Sequence, residues 1–189
     1  MKQKRKHHNN QKMEHLLEKA KIIRLKTHNG KYLIASKDEK SVRQSRDGSS
    51  ANALWSVEIV DNQHYLRLKS CYGKYLTASN VPFLPKVTRS RKVIQTLPKK
   101  LSSATEWEAE QDGSLYQIRL KTRYGHFLRP FGGIPPWRNL VTHDVPHRKK
   151  STLWEIDIME THLVHRRVQS APNFPQLPKA FSCAFTEHV

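Results

Sequence analysis

Thirteen residues recur three times along this chain. Ile23–Ala35 reads Ile-Arg-Leu-Lys-Thr-His-Asn-Gly-Lys-Tyr-Leu-Ile-Ala, Leu66–Ala78 reads Leu-Arg-Leu-Lys-Ser-Cys-Tyr-Gly-Lys-Tyr-Leu-Thr-Ala, and Ile118–Pro130 reads Ile-Arg-Leu-Lys-Thr-Arg-Tyr-Gly-His-Phe-Leu-Arg-Pro. A unit that repeats at this length cannot bury its apolar face alone, so the copies must stack or close on one another. The shared positions hold no nucleophile and no set of metal ligands, which marks the repeat as scaffold.

Each copy opens with alternation: Ile23, Leu25 and Thr27 on one side, Arg24 and Lys26 on the other, the period of a half-buried strand. Asn29-Gly30, Tyr72-Gly73 and Tyr124-Gly125 supply the positive φ of a tight hairpin turn. The returning strand carries Tyr32-Leu33, Tyr75-Leu76 or Phe127-Leu128, and only one neighbour of each pair can enter the core. The leucine is expected inside and the aromatic on the barrel wall. A third short strand is expected at 41–44, 93–96 and 139–142. A fourth starts near Trp55, Trp107 and Trp154, where apolar residues alternate with acids.

Four strands per copy make twelve. From the turn glycine to the tryptophan the spacing is 25 residues (Gly30 to Trp55), 34 (Gly73 to Trp107) and 29 (Gly125 to Trp154), so length varies in the middle loops. Three such units closed around a pseudo-threefold axis give a six-stranded barrel capped by three hairpins, an all-β fold of β-trefoil type. A three-bladed propeller is the rival, but propellers need more blades. The repeats are read at about 22–61, 65–113 and 117–160, within one domain spanning 13–160. Residues 13–21 are expected to form two helical turns leading into the first strand. Residues 1–12 form a basic polar arm, and 161–189 a proline-bearing tail read as disordered or loosely docked.

The strings Arg67–Asn80, Gln95-Thr96-Leu97-Pro98, Pro135-Pro136-Trp137-Arg138-Asn139 and Val141-Thr142-His143-Asp144 carry a resemblance that runs from Met13 to about Glu160. Across that span the chain resembles a plant family of unknown function labelled actin cross-linking, with a fascin-like β-trefoil. The resemblance implies a non-enzymatic module that binds F-actin or another acidic protein surface. Residues 1–12 lie outside it. Arg129-Pro130 departs from the family pattern, which predicts a shorter third hairpin with an altered edge.

The formal net charge is +18, spread over the repeats as well as the tails. A basic surface favours acidic proteins, nucleic acid or anionic lipid. Three segments stand out as binding candidates. The first is the run from Lys86 to Lys92, where Thr88 and Ser90 lie between the basic residues Lys86, Arg89, Arg91 and Lys92, whose arginines give oxyanions bidentate geometry. The second is Arg148-Lys149-Lys150. The third is the loop 131–139, where Gly132-Gly133 and Pro135-Pro136 precede Trp137 and Arg138. Trp137 there either stacks on a ligand or plugs the barrel bottom. Lys31, Lys74 and His126 sit at hairpin tips and are expected to be solvated.

His143-Asp144-Val145-Pro146-His147 invites a metal reading, but Pro146 blocks the helix that would align the histidines and no further ligand lies nearby, so hydrogen bonding is expected instead and no metal or cofactor is assigned. Neither a Gly-x-Ser-x-Gly elbow nor a phosphate loop occurs, and an enzyme is not expected. Sugar binding is the alternative reading, although the hairpin tips carry Lys or His where a repeated Asp would favour it. Cys71 and Cys183 cannot build a disulfide framework, which points to a reducing, intracellular compartment, cytoplasmic or also nuclear. No apolar run is long enough to span a membrane, and a monomer is expected. Lys2–Lys6 resembles a nuclear-localisation run.

Overall fold

The computed structural model describes residues 12–60, 65–84, 87–112, 114, 116–145 and 149–162. A short helix over 12–19 precedes twelve strands. The first repeat contributes β1 (Ala20–Thr27), β2 (Tyr32–Ala35), β3 (Val42–Ser45) and β4 (Trp55–Val60). The second contributes β5 (Tyr65–Ser70), β6 (Tyr75–Pro82), β7 (Arg91–Thr96) and β8 (Glu108–Gln111), and the third β9 (Gln117–Lys121), β10 (Phe127–Pro130), β11 (Val141–Asp144) and β12 (Trp154–Thr161). A single 3-10 turn precedes each tryptophan, at Ala51–Ala53, Ser103–Thr105 and Lys149–Thr152.

The barrel is a ring in which β1 pairs with β4, β4 with β5, β8 with β9, β9 with β12, and β12 returns to β1. The remaining junction, between β5 and β8, is the antiparallel bridge Leu66–Trp107, bonded in both directions at 2.8 and 2.9 Å. Hairpins β2–β3, β6–β7 and β10–β11 form the cap and touch one another through Ser41–Ile94, Arg43–Leu140 and the β7–β11 pairing. That arrangement is the expected trefoil.

The core is built in threes. Leu25, Leu68 and Leu120 are buried together, as are Leu33, Leu76 and Leu128, then Val42, Val93 and Val141, and finally Trp55, Trp107 and Trp154. The leucine of each aromatic–leucine pair goes inside, and Tyr32, Tyr75 and Phe127 lie on the wall beneath the cations of the opening strands. Arg24 stands 5.2 Å from the Tyr32 ring, Lys69 5.4 Å from Tyr75 and Arg119 4.9 Å from Phe127. Met13 and Leu17, one helical turn apart, add the short helix to the same core.

Each hairpin turns by the same bonds. Gly30, Gly73 and Gly125 donate to Thr27, Ser70 and Thr122 at 3.0, 2.9 and 3.0 Å, with φ of +75°, +72° and +79°. An L side chain is strained in that region, which is why glycine stands at all three tips.

Two expectations change. β10 and β11 are four residues each, like β2 and β3, and Pro130 pairs with Val141 at the end of β10, so the third hairpin is shorter than the second (eight and six residues) but not than the first. Proline is tolerated there because it closes the strand and need not donate further along the ladder. The third strand of repeat 3 runs over Val141–Asp144, two residues further along than the expected 139–142. His143 pairs with Leu128, as Gln44 pairs with Leu33 and Gln95 with Leu76. The arm up to residue 11 and the tail from residue 163 lie outside the described residues.

Candidate functional site

Most cations of the repeat openings are spent on the barrel. Arg24 meets Asp157 at 3.2 Å, Arg119 meets Glu110 at 3.0 Å, and Lys121 reaches Glu108 and Glu110 at 3.1 and 3.0 Å. Arg67 and Arg123 clamp the buried Glu106 at 2.6 and 2.7 Å. Burial alone would raise the Glu106 carboxyl, yet the hydrogen bonds and charges of Arg123 and Arg67 outweigh it and hold the group below the usual carboxylate range. The closing strands of each repeat thus neutralise the opening ones. The surplus positive charge is left to the loops and hairpin tips.

Those tips meet their neighbours across three seams, one between each pair of repeats. At every seam a buried side chain of the third strand reaches back to the preceding repeat. Gln44 Nε2 donates to the carbonyls of Leu140 and Phe131 at 2.8 and 3.2 Å. Gln95 Nε2 donates to those of Ser41 and Ser36 at 3.0 and 3.3 Å, and His143 Nε2 to that of Ser79 at 2.8 Å. The hairpin-tip lysines also cross rather than float in solvent: Lys31 Nζ donates to Asn139 Oδ1 at 2.8 Å, and Lys74 Nζ to the carbonyl and carboxylate of Glu39, both at 3.0 Å. The third tip residue, His126, faces His143 instead, Nδ1 to Nδ1 at 3.2 Å.

The seams differ in what remains between them. Where repeat 2 meets repeat 1, Lys74 bridges to Glu39 and the Tyr72 hydroxyl to Asn52 at 3.2 Å. Where repeat 1 meets repeat 3, a cleft of about 700 Å³ opens, lined among others by His28, Lys31, Arg46, Arg129, Arg138 and Phe131, and among the described residues no carboxylate lines it. Where repeat 3 meets repeat 2, a smaller cleft of about 240 Å³ is lined by Arg91, His126, His143, Asn80 and Tyr124 with the 102–104 turn. Among the described residues, no group of three or more His, Cys, Asp or Glu could hold a metal.

The candidate residues named from sequence separate accordingly. Arg138 is exposed and lines the larger cleft; Trp137 beside it is half-buried, its main-chain N–H donating to the Ile134 carbonyl at 3.1 Å, in a loop that contains a cis Pro135–Pro136 bond. The barrel is plugged by Trp55, Trp107 and Trp154 rather than by Trp137. The run from Lys86 to Lys92 is not one loop: Arg89 is exposed before β7, while Arg91 and Lys92 open that strand opposite His143 and Thr142. Neighbours on a strand point to opposite sides, so Arg91 enters the smaller cleft and Lys92 does not. Lys86 and Arg148 lie outside the described residues, and Lys149 and Lys150 open the third 3-10 turn.

His143 and Asp144 take the hydrogen-bonding role expected of them. Asp144 accepts from Ser90 Oγ at 3.0 Å and from the Val145 N–H at 2.7 Å. Burial pushes the Cys71 thiol up, with the Glu39 charge adding to it. Lys31, Arg46 and Arg129 were not legible as cleft residues, because they lie far apart in sequence and meet only across the seam.

The closed six-stranded barrel with its triangular cap defines the chain as a β-trefoil protein. It belongs to the family of β-trefoil domains of unknown function, DUF569, which it matches over residues 13–156. No curated protein matches it. Among solved structures it is similar to a Caenorhabditis elegans protein of unknown function, at 15% identity and a TM-score of 0.61, covering 73% of this chain and 93% of that one. It is also similar to ThreeFoil, a designed threefold-symmetric protein, at 17% identity and a TM-score of 0.59, covering 71% and 96%. A third similar structure is SeviL bound to asialo-GM1 saccharide, at 15% identity and a TM-score of 0.57, covering 74% and 98%. At these identities the likeness is one of fold.

Proposed function

We propose that this protein is a non-enzymatic binding module that takes an acidic protein segment into the cleft between repeats 1 and 3. The observation that carries this reading is the gathering of Lys31, Arg46, Arg129 and Arg138 around one cleft with no lining carboxylate among the described residues, on a chain where Arg24, Arg119 and Lys121 are paired with carboxylates. Carboxylates entering it meet arginine forks suited to bidentate bonds. A cleft of about 700 Å³ has the size of a ligand pocket and takes a few side chains rather than a folded surface.

F-actin, the partner implied by the family resemblance, is the first filament to test. Co-sedimentation of the full chain at physiological salt should show saturable binding, weakened at least tenfold by Arg46→Glu with Arg138→Glu. Failure to pellet with filaments overturns the actin assignment, and undiminished pelleting of the double variant overturns the cleft. A single cleft of this kind gives binding without bundling.

The basic loops also support a reading in which the ligand is nucleic acid or anionic lipid. That reading requires affinity to fall steeply with added salt and to depend on Arg89 and Lys92. Similarity to a saccharide-bound trefoil supports a glycan reading, which a blank glycan array removes.

A further inference from the structure

The seam between repeats 3 and 2 differs from the other two in one residue type. Gln44 and Gln95 clasp their neighbours with an amide; the equivalent position of repeat 3 is His143, buried to 3% exposure. A carbonyl oxygen can only accept, so the bond to Ser79 fixes the proton of His143 on Nε2 and leaves Nδ1 as a lone pair. The facing His126 Nδ1 at 3.2 Å must then be the donor. That assignment leaves Nε2 of His126 as the position where the pair takes up a further proton without breaking either bond. Protonating His143 instead would set two N–H groups against each other unless His126 changed tautomer.

Arg91 stands at the same cleft and spends one Nη on Asn80 at 2.9 Å. Tyr124 is 80% exposed at the rim, and Ser102 and Ser103 bring hydroxyls from the turn opposite. Asp144, whose charge acts on both histidines, has its two oxygens engaged by Ser90 and Val145. Guanidinium, imidazole and several hydroxyl donors around about 240 Å³ suit a tetrahedral oxyanion with many acceptor positions.

We propose that this cleft binds a phosphomonoester group, held by Arg91 and His126, with His143 fixing the tautomer of His126. The site is separate from the cleft between repeats 1 and 3 and does not depend on what binds there. Burial first, and then the Arg91 charge, keep His126 below the ordinary imidazole range, while Asp144 acts in the opposite direction. A phosphate dianion cancels the Arg91 repulsion and stabilises the imidazolium, so binding draws a proton onto His126.

Titration calorimetry of the full chain with inorganic phosphate, glycerol 3-phosphate and phosphoserine tests this. The expected result is saturable binding at pH 7 with net proton uptake, visible as a heat that depends on the buffer's ionisation enthalpy. Tighter binding of either ester than of inorganic phosphate identifies the organic ester as the source, and equal binding identifies the free ion. Arg91→Gln should weaken binding at least tenfold, and His126→Gln should remove the proton uptake, while Arg46→Gln with Arg138→Gln changes neither. Thermal unfolding of each variant checks that the fold survives. Absence of saturable binding by the native chain overturns the proposal, as does binding that is lost in the Arg46/Arg138 variant but kept in Arg91→Gln.

Discussion

The indole N–H of Trp107 donates to the main-chain carbonyl of Leu76 across 3.0 Å, and both residues are fully buried. The same bond ties Trp55 to Leu33 and Trp154 to Leu128, each at 3.1 Å. Each tryptophan closes the gap between the barrel and the cap hairpin of its own repeat. Its ring fills core volume while its single donor satisfies a carbonyl that water cannot reach.

Replacing Trp107 by Phe keeps most of the volume and removes the donor. The orphaned Leu76 carbonyl should cost about 1–3 kcal/mol, and Trp107→Ala, which also opens a cavity, about 3–5 kcal/mol. Urea unfolding monitored by far-UV circular dichroism reads both; a negligible loss in Trp107→Phe would mean the hydrogen bond contributes nothing.

The turn glycines offer a test of symmetry. A Cβ built on Gly30, Gly73 or Gly125 meets nothing within 4 Å, so only the backbone resists substitution. Each Gly→Ala change should destabilise by about 1–2 kcal/mol, nearly alike in the three repeats. Widely different midpoints in parallel denaturation curves would show that the three turns are not equivalent.

His143 makes stability depend on pH. Burial, opposed in part by the Ser79 bond, pushes its imidazole down to about 4. The unfolded chain therefore takes up a proton near pH 6.5 that the native protein refuses until about pH 4. Stability is complete above pH 6.5 and falls as the pH drops through that window, by on the order of 2–3 kcal/mol. His143→Gln places in repeat 3 the residue that Gln44 and Gln95 already provide. It should keep the clasp to Ser79 and flatten the pH dependence of the melting temperature.

Glu106 is the one acid shared by two arginines from different repeats, among the described residues. Glu106→Gln keeps its shape but leaves Arg67 and Arg123 without the charge between them. A loss of about 3 kcal/mol is expected from equilibrium denaturation. The loss should shrink when Arg67→Met is added, since the charge left uncompensated then disappears with its partner.

The strands were readable because alternation and turn glycines act within a few residues, and triplication made each weak signal count three times. Leu33, Leu76 and Leu128 could be placed inside on that basis alone. The third strand of repeat 3 starts two residues later than local alternation suggests, because Leu140-Val141 offers two apolar choices. Only pairing with β10 selects Val141. That pairing sets His143 opposite Leu128, where it clasps the seam.

The sequence by itself determined the trefoil, since three copies of a hairpin with one apolar face have few ways to close. The tertiary structure alone decided how charge is distributed. Arg24 and Asp157, or Arg67 and Glu106, cancel only once the barrel brings opening and closing strands side by side. Lys31, Arg46, Arg129 and Arg138 become one cleft only because the pseudo-threefold closure sets repeat 1 against repeat 3. Local periodicity specifies which face of a strand is buried, whereas a site built across a seam depends on contacts between residues about a hundred positions apart.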